Sequence, residues 1–158
     1  MKNCLFSVSY AGLWGQDALT LNDFVLKAAA LGYEGIEIMC KRPHLYPYTA
    51  DDAAVSALKR LIDEKHLTVA CMGAYTSFTA GSESREVPLS DLQVSYVREI
   101  ARIGVKLGCR LVRIFTGYDN GREQFGDQWK ACVTAIRACC DAVSDIGDTI
   151  SIQNNHDI

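Results

Sequence analysis

Gln153, Asn154, Asn155, His156 and Asp157 form one polar cluster, directly after a run in which Ile150 and Ile152 flank Ser151. Amide oxygens and imidazole nitrogens can ligate a divalent cation or hydrogen-bond the hydroxyls of a sugar. The alternation before the cluster reads as a strand, so the cluster stands at a strand's carboxyl end. Parallel α/β folds collect ligands and catalytic groups there. Glu37 and Arg113 also interrupt apolar runs, each at mid-strand. They read equally as a buried ion pair and as a substrate site in which Arg113 positions an anionic or polyhydroxylated ligand. His44, in a loop stiffened by Pro43 and Pro47 and beside Tyr46 and Tyr48, reads as a pocket wall. Lys41 and Arg42 in the same loop read as solvated basic residues, and His66 as a complement to a helix dipole.

The elements that must position these groups follow from period and punctuation. Apolar residues recur at helical spacing in four segments. Thr20 caps the first, with Asp23 three residues on, and its stripe is Leu21, Phe24, Val25, Ala28 and Leu31. The second runs from about Ala50 to Lys65, with Ala54, Leu58, Leu61 and Ile62 on one side. Ser90 starts the third, with Val94, Val97, Ile100, Ala101 and Ile103. The fourth begins near Gln124 and carries Trp129, Cys132, Val133, Ile136, Cys140 and Val143. Gly32, Gly108 and Gly147 end three helices just before an apolar strand, the usual place for a left-handed cap, and His66 takes that place after the second.

With Cys4–Ser9 as a first strand, the order is βαβαβαβαβ, which predicts a parallel sheet with right-handed crossovers. An open doubly wound sheet would be complete with five strands. A (β/α)8 barrel needs about 250 residues, and this chain would then be its first five strands and four helices. The first turn, SYAGLWG, lacks GxGxxG, and no GxxxxGK[ST] occurs, so the usual phosphate loop of the open sheet is missing. The connection from Tyr75 to Pro88 follows the third strand on the face where site loops belong.

At 158 residues, 49% hydrophobic and 22% charged, the chain fits one domain with a real core. The net charge of −3 gives no reason to expect nucleic acid or an anionic membrane as partner. No apolar run reaches the roughly 20 residues of a membrane span, and the amino terminus is too short for a secretory signal. The 7 cysteines form no CxxC pair and read as buried, reduced thiols of a cytoplasmic protein. Unpaired first and fifth strands would leave two open sheet edges, a route to homo-oligomers or to pairing with another chain.

The segments GYEGIEIMCKRPHLYP, TAGSESREVPLSDLQVSYVREIARIGVKLG, RLVRIFTG and SIQNNHDI, taken in order, carry a family resemblance. The chain resembles the sugar phosphate isomerase/epimerase family of xylose isomerase-like TIM barrels. That resemblance implies a (β/α)8 barrel and a small sugar or polyol substrate. It also implies a divalent metal (Mn, Mg or Zn) at the carboxyl-end face. The reaction implied is metal-assisted proton transfer next to a carbonyl, with dehydratases sharing the fold. Many members read Glu-Asn-His at the end of strand 5, the Glu being a metal ligand. Gln153 stands in that place here, Asn154 matches the Asn, and His156 falls one residue later than the His. The resulting expectation is Gln153 toward metal, His156 catalytic, and His44, Arg113, Asn154 and Glu37 toward substrate.

Overall fold

The computed structural model describes residues 2–80 and 86–154. Five strands, β1 (Cys4–Phe6), β2 (Gly35–Met39), β3 (Thr68–Gly73), β4 (Leu111–Phe115) and β5 (Thr149–Gln153), form one parallel sheet. Four helices alternate with them: α1 (Leu21–Ala30), α2 (Asp52–Glu64), α3 (Leu89–Leu107) and α4 (Phe125–Val143). The sheet order is β1-β2-β3-β4-β5, so each crossover moves one strand in the same direction. A doubly wound sheet reverses direction at a switch point, and this one does not. Right-handed crossovers that never reverse put every helix on one face, as in a barrel wall.

The core lies between that face and the helices. Ile36, Ile38, Val69, Met72, Val112 and Ile114 meet Phe24, Val25 and Ala28 of α1 and Val55, Leu58 and Ile62 of α2. Val97, Ile100 and Ala101 of α3 and Cys132, Ala135 and Cys139 of α4 complete it. The other face carries Phe6, Glu37, Cys71, Gly73, Arg113 and Phe115 by strand alternation. A register shift in the β2–β3 pairing matches Ile36 to Val69 but Glu37 to Cys71, leaving Ala70 as an extra residue. This bulge lets Val69 and Met72 both reach the helices while Cys71 and Gly73 turn to the opposite face.

Several boundaries differ from the sequence expectation for identifiable reasons. β1 ends at Phe6, and Ser7–Tyr10 turn into a 3-10 helix. The buried Ser7 hydroxyl oxygen accepts from Met39 N–H at 2.8 Å, replacing the ladder bond that a longer strand would make. α2 starts at Asp52 because Asp51 caps it, accepting from Ala54 N–H at 2.7 Å, and its buried residue in the first turn is Val55, not Ala54. α4 is rotated from the expected stripe, with Cys139 buried while Cys140 and Trp129 are exposed. Thr20 caps α1 as expected, accepting from Asp23 N–H at 3.1 Å, and Gly108 closes α3 at φ +81°. His66 takes the left-handed position after α2 at φ +55°.

All cysteines are free: Cys40, Cys109, Cys132 and Cys139 are buried, Cys71 is half-buried, and Cys4 and Cys140 are exposed. Among the described residues no helix is long and apolar enough to cross a membrane.

Candidate active site at the carboxyl ends of the strands

Glu37 from β2 and Arg113 from β4 meet across β3, with Arg113 Nη2 donating to Glu37 Oε1 at 2.9 Å. They can meet because β3 has Gly73 between them. A Cβ there would stand 2.7 Å from Arg113 Nη2 and 3.0 Å from Glu37 Oε1. Arg113 Nη1 also donates to the Ala74 carbonyl at 3.1 Å. Its guanidinium lies 4.4 Å from the Phe115 ring centre, 5.3 Å from Phe6 and 5.4 Å from Tyr75. The side chain is 7% exposed while that of Glu37 is 26% exposed, so the carboxylate is the partner nearer to solvent. The geometry is that of a cation fixed in an aromatic cage with its counter-ion at the cage mouth.

Lys41 follows β2, with its ammonium 3.8 Å from the centre of the Tyr75 ring. It was expected to be a solvated loop residue; instead it is half-buried against an aromatic face. Burial, and then the neighbouring Arg113 charge, push its ammonium below the usual lysine range. Burial raises the Tyr75 phenol, although Arg113 pulls in the opposite direction. Arg42 turns away and stacks on Tyr46 at 4.9 Å.

His44 stands at the same end of the sheet, but both ring nitrogens are engaged. Nε2 lies 3.2 Å from the Leu19 carbonyl and Nδ1 lies 3.0 Å from Ser7 Oγ. A carbonyl only accepts, which assigns the proton to Nε2 and leaves Nδ1 to accept from the Ser7 hydroxyl. The ring also stacks on Phe24 at 6.2 Å. Burial lowers its pKa, against the hydrogen bonds it donates to the Leu19 and Tyr10 backbone. His44 thus ties the turn after β1 to the loop before α1 and to the loop after β2.

At β5 the expected cluster divides. Gln153 pairs in register with Phe115, and Ser151 with Arg113, which places both on the face of the ion pair. Asn154 lines a groove on the helical side with Thr116, Trp129, Cys132, Val133, Ile136 and Ile152. Asn155, His156 and Asp157 lie outside the described residues. The structure therefore unites Glu37 and Arg113, puts Gln153 on their face, leaves His44 engaged near them, and places Asn154 against α4.

Sequence reasoning did not single out Gly73, Phe6 or Tyr75, and it weighed Lys41 at the carboxyl-end face but preferred a solvated loop residue. A Gly ending a strand directly between two charged strands was the available signal for the first. The aromatic cage had none, because Phe6 and Tyr75 come from different strand ends and converge only on folding. The connection after β3 is held by the backbone bonds of Ala74 N–H to the Arg113 carbonyl and of Phe78 N–H to the Thr116 carbonyl, each 2.8 Å, and by side chains. Thr76 Oγ1 donates to the Phe115 carbonyl and accepts from Phe115 N–H, and Gln93 clamps both backbone groups of Ser77. Tyr75 is thereby fixed over the mouth. A second cleft of about 320 Å³ lies between this connection, α3 and α4, lined by Ser77, Asp91, Gln93, Glu123 and Thr134. It carries carboxylates and hydroxyls but, among the described residues, no cation lines it.

A family profile described as "Xylose isomerase-like TIM barrel" matches residues 25–157. No curated protein matches the sequence. Among solved structures, D-psicose 3-epimerase with D-tagatose from Clostridium cellulolyticum H10 is 17% identical with a TM-score of 0.73, over 95% of this chain and 51% of that one. A probable 3-DHS dehydratase, AsbF, from Bacillus anthracis is 16% identical with a TM-score of 0.72, over 99% and 54%. The IOLI protein with a binding zinc atom is 15% identical with a TM-score of 0.74, over 96% and 51%. The chain spans about half the length of each of these structures.

Proposed function

Because the chain belongs to the family of xylose isomerase-like TIM barrels, we propose that it forms the sugar-binding wall of an isomerase or epimerase acting next to a carbonyl. Its five strands and four helices are part of a (β/α)8 barrel, and the site is the carboxyl-end mouth. The observation that carries the reading is the Glu37–Arg113 pair seated on Gly73 inside an aromatic cage. A rigid guanidinium beside aromatic faces suits hydroxyls and a carbonyl oxygen, and it can stabilise an oxygen that gains negative charge when a proton leaves the adjacent carbon. Glu37, the one acidic residue in the strands among the described residues, acts as a positioning residue by holding that guanidinium. Gln153 offers an amide for hydroxyls on the face of the ion pair, Asn154 lies instead in the groove beside α4, and His156 is the proton-transfer residue in this reading.

A divalent metal fits the described residues poorly. Glu37 is committed to Arg113, Gln153 is neutral, and among the described residues no group of three or more His, Cys, Asp or Glu could hold an ion. Gln153 would be one oxygen donor in a shell completed by other groups. The same is true of proton transfer, for which the strands offer no uncommitted carboxylate. Dehydration of a polyhydroxylated substrate uses the same proton abstraction and is the neighbouring reaction.

Calorimetric titration of the chain with D-tagatose and D-fructose tests the reading. Saturable binding that weakens at least about tenfold in Arg113→Met supports it. Binding that is absent, or indifferent to that substitution, would contradict it.

A further inference from the structure

Arg113 and Lys41 face the same Tyr75 ring, the first at 5.4 Å and the second at 3.8 Å from its centre. Among the described residues one carboxylate, Glu37, answers these two cations, and it is taken by Arg113. Among the described residues Lys41 has neither a carboxylate partner nor a hydrogen-bond acceptor; its contact is the ring. An ammonium normally keeps its three N–H donors satisfied, by water when it is exposed. This one is half-buried beside a like charge, and burial first and then that repulsion disfavour its charged form. The neighbouring Arg42 guanidinium adds no anion, being stacked on Tyr46. Counting the described residues around Tyr75, Arg113 and Lys41 against Glu37, one positive charge is in excess.

We propose that Lys41 is the anion-recognition residue of this mouth and that the substrate is a polyhydroxylated anion, a sugar carboxylate or a sugar phosphate. The inference rests on the sugar-binding reading above and narrows its substrate class. An anionic oxygen between Lys41 and the Arg113 cage accepts the unused ammonium donors. It also screens the repulsion between the two cations. A neutral ketose does the first weakly and the second not at all. Tyr75 supplies the face on which the ammonium rests, so the charge is held in one place before the ligand arrives.

The test is an NMR titration of the chain with inorganic phosphate, D-gluconate and D-fructose, following the Lys41 side-chain Cε resonance and its titration with pH. The expected result is that D-gluconate binds at least about tenfold more tightly than D-fructose. It should also raise the Lys41 midpoint, lose its advantage in Lys41→Gln and keep it in Lys41→Arg. Phosphate binding with D-gluconate inert assigns the anion to a phosphate ester. D-Gluconate binding with phosphate inert assigns it to a carboxylate. Either outcome supports the proposal. D-Fructose binding as tightly as D-gluconate, unchanged in Lys41→Gln, would overturn the anion assignment and leave the sugar reading standing. No binding by any of the three would remove both.

Discussion

Arg113 and Glu37 are unequal partners, and their substitutions separate accordingly. Removing the Glu37 charge strands a guanidinium that is 7% exposed, whereas removing Arg113 leaves a carboxylate that is 26% exposed and can turn to water. Glu37→Gln should therefore cost roughly 3 kcal/mol of stability. Arg113→Met, which fills the cage of Phe6, Tyr75 and Phe115 with an apolar chain, should cost within about 1 kcal/mol. Urea denaturation of both variants checks the order, and equal losses would mean the pair is more open than its geometry implies. His44 gives a second residue-scale expectation. Its folded pKa lies below the ordinary 6.5, so the unfolded chain takes up the proton first as pH falls. The stability it contributes is fully present above pH 6.5 and is lost as pH drops below that value toward the folded pKa. His44→Gln should flatten denaturation midpoints between about pH 7 and 5, which a pH series of urea melts would show. Glu37 and Arg113 were legible as charges in apolar runs. Their pairing was legible only as one of two options, because nothing local reports that β2 and β4 flank a glycine.

At the scale of elements, His66 is a left-handed residue with a Cβ, at a place where Gly108 performs the same turn after α3 without one. His66→Gly should raise the stability by up to about 1 kcal/mol, seen as a higher denaturation midpoint, as the side chain is exposed and the strain is relieved. A lower midpoint would show that the imidazole is held by contacts worth more than the turn costs. This position was visible in the sequence because a helix ended there without glycine. The four helices were visible for similar reasons: period, a Thr20 cap and glycine stops. The bulge at Ala70 was not, since TVACMG alternates acceptably in either register and only packing against α2 and α3 selects one. The face of α4 was misjudged by one position for a related reason. Trp129 and Val133 continue its apolar stripe but line the groove with Ile152 rather than the core, while Ile136 touches both. Periodicity reports how much of a helix is apolar, not which part the first neighbour covers.

For the whole molecule, the sheet order puts β1 and β5 at its two edges, and the helical side beside β5 keeps a largely apolar groove of about 540 Å³. Trp129 is 53% exposed and Ile152 48% exposed there, with Phe125 stacked on Trp129 at 6.5 Å. Exposed edges and apolar patches favour association. The chain alone should therefore run above its 17.4 kDa mass in concentration-dependent light scattering, and Ile152→Lys should shift it toward that mass. A monomer at all concentrations would count against this. The placement of the site is a separate matter and stands on the mouth's charges. Two locations compete: the Arg113 cage and the cleft between α3 and α4, with its Asp91 and Glu123. A crystal structure of the chain soaked with D-tagatose decides between them. The account predicts density over Tyr75 within hydrogen-bond reach of Arg113 or Lys41. Density confined to the cleft lined by Gln93 and Thr134, with the Arg113 cage empty, would contradict it.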